Sequence, residues 1–89
     1  MGDAFDPACA WRVDPQVALR PEPFGALAYH YGSRRLTFLR SPLLVEVVRT
    51  LSEHPSAQAA VEAAVPAVRR PAILQALGQL AGSRFIVPA

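Results

Sequence analysis

The side chains able to do chemistry in this sequence are few and scattered. His30, His54 and the single cysteine, Cys9, stand far apart in the chain, without the short spacings that deliver ligands to a metal ion. The same shortage argues against a Cys–His nucleophile pair. Ser41 precedes Pro42, a combination that starts helices, so its hydroxyl reads as a cap rather than a nucleophile. Gly2, Gly25, Gly32, Gly78 and Gly82 are dispersed and build no phosphate-binding loop. The carboxylates are dispersed too. The expectation is a protein that is not an enzyme and holds no cofactor and no metal.

What remains is charge and surface. All nine basic residues are arginines, whose planar forks suit carboxylates and peptide carbonyls. Residues 1–14 set Asp3, Asp6 and Asp14 against Arg12, while the rest of the chain sets eight arginines against Glu22, Glu46, Glu53 and Glu62. The body is therefore basic and its N-terminal end acidic. Such a surface either attracts an acidic partner or is simply a solvated arginine face.

Length and composition bound the scaffold. With 89 residues, 52% of them hydrophobic, the chain can build one small domain with a modest core. One cysteine allows no internal disulfide, and the N-terminal sequence lacks the basic and apolar regions of a signal peptide. No apolar run approaches the roughly 18 residues of a membrane span. A cytoplasmic protein without a membrane partner is the default reading.

The elements follow from periodicity. Residues 1–14 have none and read as a flexible arm, with Trp11 as a packing anchor; residues 15–89 read as the single domain. Gln16 to Arg20 alternates as a first short strand, and Pro21-Glu22-Pro23 enforces an extended link. From Phe24, Leu27, Tyr29 and Tyr31 alternate with Ala28 and His30; after a Gly32-Ser33 turn, Leu36 and Phe38 alternate with Arg35, Thr37 and Leu39. This predicts a three-stranded antiparallel meander. Ser41 and Pro42 then open a helix whose Leu44, Val47, Val48 and Leu51 form one apolar stripe. Ser56 caps a second helix, rich in alanine, that Pro66 ends. Pro71 to about Ala81 forms a third helix on Ile73, Leu77 and Leu80, with Gly82 at its C-terminal cap. Phe85, Ile86 and Val87 form an apolar tail that joins either the core or a sheet edge. The fold class is α+β, three strands followed by three helices, like a winged helix-turn-helix variant.

Two surfaces could bind. A nucleic-acid reader of this class would use the third helix, but that helix offers only Gln75 and Gln79 for base contacts, its arginines standing before its start. The other surface is the free edge of the third strand, Arg35 to Leu39, flanked by Arg34, Arg35 and Arg40. Those arginines either guard the edge against aggregation or frame it for an added peptide strand, in a groove against the third helix where Leu74, Gly78 and Ala81 lie beside the core stripe.

The run VDPQVALRPEPFGALAYHYGSRRLTFLRSP and the Leu/Val-rich helix after it resemble the mycofactocin biosynthesis peptide-chaperone family. That family is related to the PqqD-like peptide chaperones, the precursor-peptide recognition elements of ribosomally made peptides. The resemblance covers about Trp11 to Val87. It implies a PqqD-like winged helix-turn-helix that binds the leader of a precursor peptide and presents it to a radical S-adenosylmethionine maturase. It also implies a groove of third strand and third helix, here Arg35, Leu36, Thr37, Phe38 and Leu39 with Arg70, Leu74 and Gly78, in which Leu36 and Phe38 face inward and support the groove without touching peptide. Acidic leader residues would then meet Arg34, Arg35 or Arg70. The expectation is therefore a non-enzymatic peptide chaperone; a winged-helix nucleic-acid binder is the alternative, and a dimer made by pairing strand edges a third reading.

Overall fold

The computed structural model describes residues 5–89. In chain order the elements are β1 (Trp11–Val13), β2 (Val17–Glu22), β3 (Gly25–His30), β4 (Arg35–Leu39), α1 (Pro42–Thr50), α2 (Ala57–Ala64), α3 (Arg70–Gly82) and β5 (Ile86–Pro88). Strands β2, β3 and β4 form the expected antiparallel meander, and α1 to α3 follow it. No helix among the described residues is long and apolar enough to cross a membrane.

Local signals place most boundaries. The Ser41 hydroxyl accepts from the Leu44 N–H at 3.3 Å, and the Ser56 hydroxyl from the Ala59 N–H at 3.1 Å, each satisfying an orphan donor of a first turn. Pro42 sits at the start of α1, where its missing N–H removes no bond. Strand β2 runs on through Pro21 to Glu22, since an edge strand tolerates a proline whose N side faces solvent. Pro23 and Phe24 then turn the chain into β3. Gly25 has φ +147°, and a Cβ there would collide with the Leu39 carbonyl oxygen of β4. Only glycine allows this turn to pass so close to β4.

Four expectations are corrected. First, the arm is not loose from Phe5 onward; residues 1–4, part of the same expectation, lie outside the described residues. β1 pairs antiparallel with β5, Trp11 opposite Pro88 and Val13 opposite Ile86, so the apolar tail closes a second, two-stranded sheet. Trp11 is buried as the expected anchor, its indole N–H donating to the Asp6 carbonyl at 2.8 Å. The Cys9 and Pro7 carbonyls accept from the Ala57 and Gln58 N–H groups, supplying acceptors at the start of α2. Second, the inward face of the hairpin is the small one: Ala26, Ala28, His30 and Leu39 are buried, whereas Leu36 is 58% and Phe38 53% exposed. Third, the β3–β4 turn lies at Gly32-Ser33 as expected but is wider than that pair, spanning Tyr31 to Arg34, and its left-handed residue is Arg34 (φ 59°). Fourth, Gly82 remains within α3; the left-handed residue beyond the helix is Arg84 (φ 62°), where the N–H groups of Ser83, Arg84 and Phe85 bond the carbonyls of Gln79, Ala81 and Leu80.

The core lies between the Ala face of the meander and the three helices. Val47, Leu51, Val61, Leu77 and Ile86 are its largest fully buried side chains, each contributing roughly 1.5–3 kcal/mol by burial. The one buried polar side chain among the described residues, His30, is satisfied: its Nδ1 accepts from the Ser33 N–H at 3.1 Å, its Nε2 lies 3.6 Å from Asp14 Oδ2, and its ring meets Phe85 edge-on.

The two glycines Gly25 and Gly82 should answer oppositely to alanine. Gly25→Ala is expected to lose about 2 kcal/mol or more in denaturant unfolding, from the strained φ and the clash with β4. Gly82→Ala, with nothing within 4 Å of the added methyl, is expected to be neutral or to gain up to about 1 kcal/mol.

Candidate functional site

Among the described residues the meander has two unpaired edges, and they differ. The β2 edge carries Pro21, which offers no donor, and an exposed Arg20–Glu22 ion pair at 2.8 Å. The β4 edge has no proline. Its alternate N–H and C=O groups point away from β3, the only strand it pairs with among the described residues.

Beside that edge runs a groove of about 370 Å³. Residues 35–39 form one side. Ala76, Gln79, Leu80 and Ser83 of α3 and the turn after it form the other, at spacings of three and four that share a helix face. Leu44 and Phe85 contribute from α1 and the α3–β5 turn. The floor is apolar, and Arg35, Thr37, Gln79 and Ser83 supply polar groups near the rim. An extended segment laid here could bond to the β4 backbone and bury apolar side chains against Leu39, Leu80 and Phe85. Leu36 and Phe38 border the groove from the outer face of the sheet. There Phe38 packs against Phe24, and the Arg40 guanidinium lies 5.1 Å from the Phe38 ring centre.

The structure thus brings Arg35, Leu36, Thr37, Phe38 and Leu39 together along one groove, but not Arg70, Leu74 and Gly78. Those three share a face of α3 too, a different one. A Cβ on Gly78 would touch the Phe5 ring at 3.9 Å, so the N-terminal segment covers that face, and Leu74 packs partly buried against the core. Arg70 is committed to α2: its Nε donates to the Val65 carbonyl at 2.8 Å and a terminal nitrogen to the Glu62 carbonyl at 3.5 Å, a cation at the negative end of a helix. Arg34 is exposed in the β3–β4 turn and lines no part of the groove. Ala76, Gln79, Leu80 and Ser83 were missed. Their i, i+3, i+4, i+7 spacing was visible in the sequence, but nothing local distinguished that stripe from its neighbours.

Among the described residues, no three His, Cys, Asp or Glu side chains converge as metal ligands would. Cys9 is exposed, and its thiol is pushed above the ordinary value, first by its hydrogen bond to the Asp6 carboxylate and then by that group's negative charge. The anion beside it disfavours the nucleophilic thiolate.

The comparisons with known proteins decide the family. Residues 10–87 match the model of the peptide chaperone MftB family. The chain belongs to that family. Proteins named peptide chaperone MftB are 50% identical over 86 residues in Mycobacterium ulcerans, covering 96% of this chain and 79% of the relative. The Mycolicibacterium smegmatis relative is 52% identical over 85 residues, covering 94% and 83%. The Mycobacterium tuberculosis relative is 48% identical over 85 residues, covering 94% and 78%. No solved structure matches the chain. The family match begins at Ala10 and therefore includes β1, which lies in the segment expected to be an arm.

Two measurements check these assignments. Arg70→Ala should lower unfolding stability by about 1 kcal/mol, the scale of a partly exposed hydrogen bond to a charged group, while leaving the groove intact. Asp6→Asn should lower the Cys9 pKa and so speed its alkylation near neutral pH; an unchanged rate would remove Asp6 as the cause.

Proposed function

We propose that this member of the MftB family is a non-catalytic peptide chaperone of PqqD-like winged-helix design. It binds the leader of a ribosomally made precursor peptide and presents it to a radical S-adenosylmethionine maturase in mycofactocin biosynthesis, in the cytoplasm. The observation that carries the reading is the unpaired, proline-free β4 edge facing a groove with α3, in a chain whose relatives are named peptide chaperones. The leader adds as a strand antiparallel to β4, its backbone completing the open hydrogen-bond row, and every second apolar side chain enters the groove. The chaperone contributes order rather than chemistry: a segment held as a strand is delivered in one conformation, with its conformational entropy already lost.

Nucleic acid is not a partner in this reading. Gln79, one of the two residues of α3 suited to base contacts, stands in the groove, and Arg70 is engaged with α2.

Calorimetric titration of the protein with the full precursor, a leader-deleted precursor and duplex DNA tests the proposal. One-to-one binding that requires the leader is expected. Methylating the leader's backbone nitrogens one at a time should then weaken binding by tenfold or more at alternate positions and little between them. A flat profile would rule out strand addition. Salt-sensitive duplex binding without leader binding would replace the proposal with a nucleic-acid role.

A further inference from the structure

A second cavity of about 590 Å³ adjoins the groove at Arg35, between the β3–β4 turn and the turn that follows α3, with Arg35 and Ser83 common to both. The character of the surface changes at this point. Gln16, Ser33 and Ser83 give the second cavity polar walls, Arg35 and Arg84 give it two cations, and no carboxylate among the described residues lines it. Neither arginine is in an ion pair among the described residues.

The groups nearby that would oppose an anion are already engaged. Asp14 reaches the His30 ring in the cavity wall, but its Oδ1 accepts from the Gln16 N–H at 2.8 Å and its Oδ2 lies 3.6 Å from His30 Nε2. The C-terminus of α3 would repel an anion through its free carbonyls. Those of Gln79, Leu80 and Ala81 are taken by the N–H groups of Ser83, Phe85 and Arg84.

Each of the two turns that bound the cavity contains an arginine at a left-handed backbone position, Arg34 at φ 59° and Arg84 at φ 62°; among the described residues no other non-glycine has a positive φ. Glycine is the favoured residue in that conformation. In each turn the arginine keeps a cation that glycine would remove.

We propose that this cavity reads a carboxylate of the bound peptide, received by Arg35 and Arg84; the inference rests on the leader-binding reading above. It also gives the ligand a direction. In a strand antiparallel to β4, the C-terminal side of the peptide lies beside Arg35. With one ligand residue facing each residue of β4, the carboxylate belongs about two residues or more C-terminal to the apolar side chain seated over Thr37, and about four or more C-terminal to the one over Leu39. It comes from an aspartate or glutamate side chain, or from a peptide terminus that ends there.

The test uses the full chain and the same leader titration. Arg84→Gly relieves the left-handed position, so this variant should melt no lower than the parent, yet bind the leader roughly tenfold more weakly, the scale of a lost charge-assisted contact. Arg12→Gln removes an equal charge from β1, outside both cavities, and should bind as the parent does. Leaders in which each acid is replaced singly by its amide, or the terminus is amidated, identify the source. The critical replacement should weaken binding to the parent protein clearly more than it weakens binding to Arg84→Gly, where only Arg35 remains to receive the carboxylate.

Equal affinities for Arg84→Gly and Arg12→Gln would overturn the inference while leaving leader binding standing. So would a leader whose acids are all dispensable, or a loss confined to duplex DNA. Failure of the parent protein to bind the leader would instead overturn the underlying reading, and this inference with it.

Discussion

The close approach of the helices to the meander over Ala26 and Ala28 is the constraint on which the rest of the structure depends. A helix can lie near a sheet only where the side chains between them are small, and β3 presents Ala26 and Ala28, both buried, to that layer. The larger residues of the hairpin must then take the other face. Leu27 stands opposite Phe38 there, and Tyr29 opposite Leu36. They lean on one another rather than on the core: Tyr29 meets Tyr31 edge-on, and Arg40 covers Phe24 and Phe38. Filling the inner face with Leu and Tyr would push α1 outward and open the core that Val47, Leu51 and Leu77 close.

A second tie fixes where α3 ends. The pairing of β1 with β5, together with the bond from the Asp14 N–H to the Phe85 carbonyl at 3.0 Å, anchors the turn after α3 to the N-terminal segment. Phe5 and Trp11 pack against each other with ring centres 5.1 Å apart, and Phe5 covers the Gly78 face of α3. The N-terminal segment thus occupies one face of the helix and leaves the Ala76–Gln79–Ser83 face open. The same network brings Arg84 and Arg35 to one end of the groove, although they are far apart in sequence.

The two sheet edges show how the same exposed row of backbone groups is handled in opposite ways. Pro21 and the Arg20–Glu22 pair blunt β2, whereas β4 keeps its donors and acceptors beside a groove floored by Leu39, Leu80 and Phe85. The charges around β4 are divided among several tasks. Arg40 lies over aromatic rings, Arg34 sits in a turn, and Arg35 alone of the three lines the groove.

Much was legible in the sequence because it depends on near neighbours. Ser41-Pro42 and Ser56 start their helices, period-two alternation gives β3 and β4, and spacings of three and four give the core stripes of α1 and α3; each is settled within one or two turns or pleats of chain. The β4 side of the groove was legible for that reason. The tertiary structure decided what local pattern leaves degenerate. An alternating strand looks the same whichever face is buried, and the volume available between sheet and helices chose the alanine face. A three-residue strand such as Trp11–Val13 has no periodicity to display, and it exists because β5, more than seventy residues later, supplies its partner. Arg70, Leu74 and Gly78 form as regular a stripe on α3 as the residues that line the groove; only the placement of Phe5 and of the end of α2 determined which stripe was covered and which remained open.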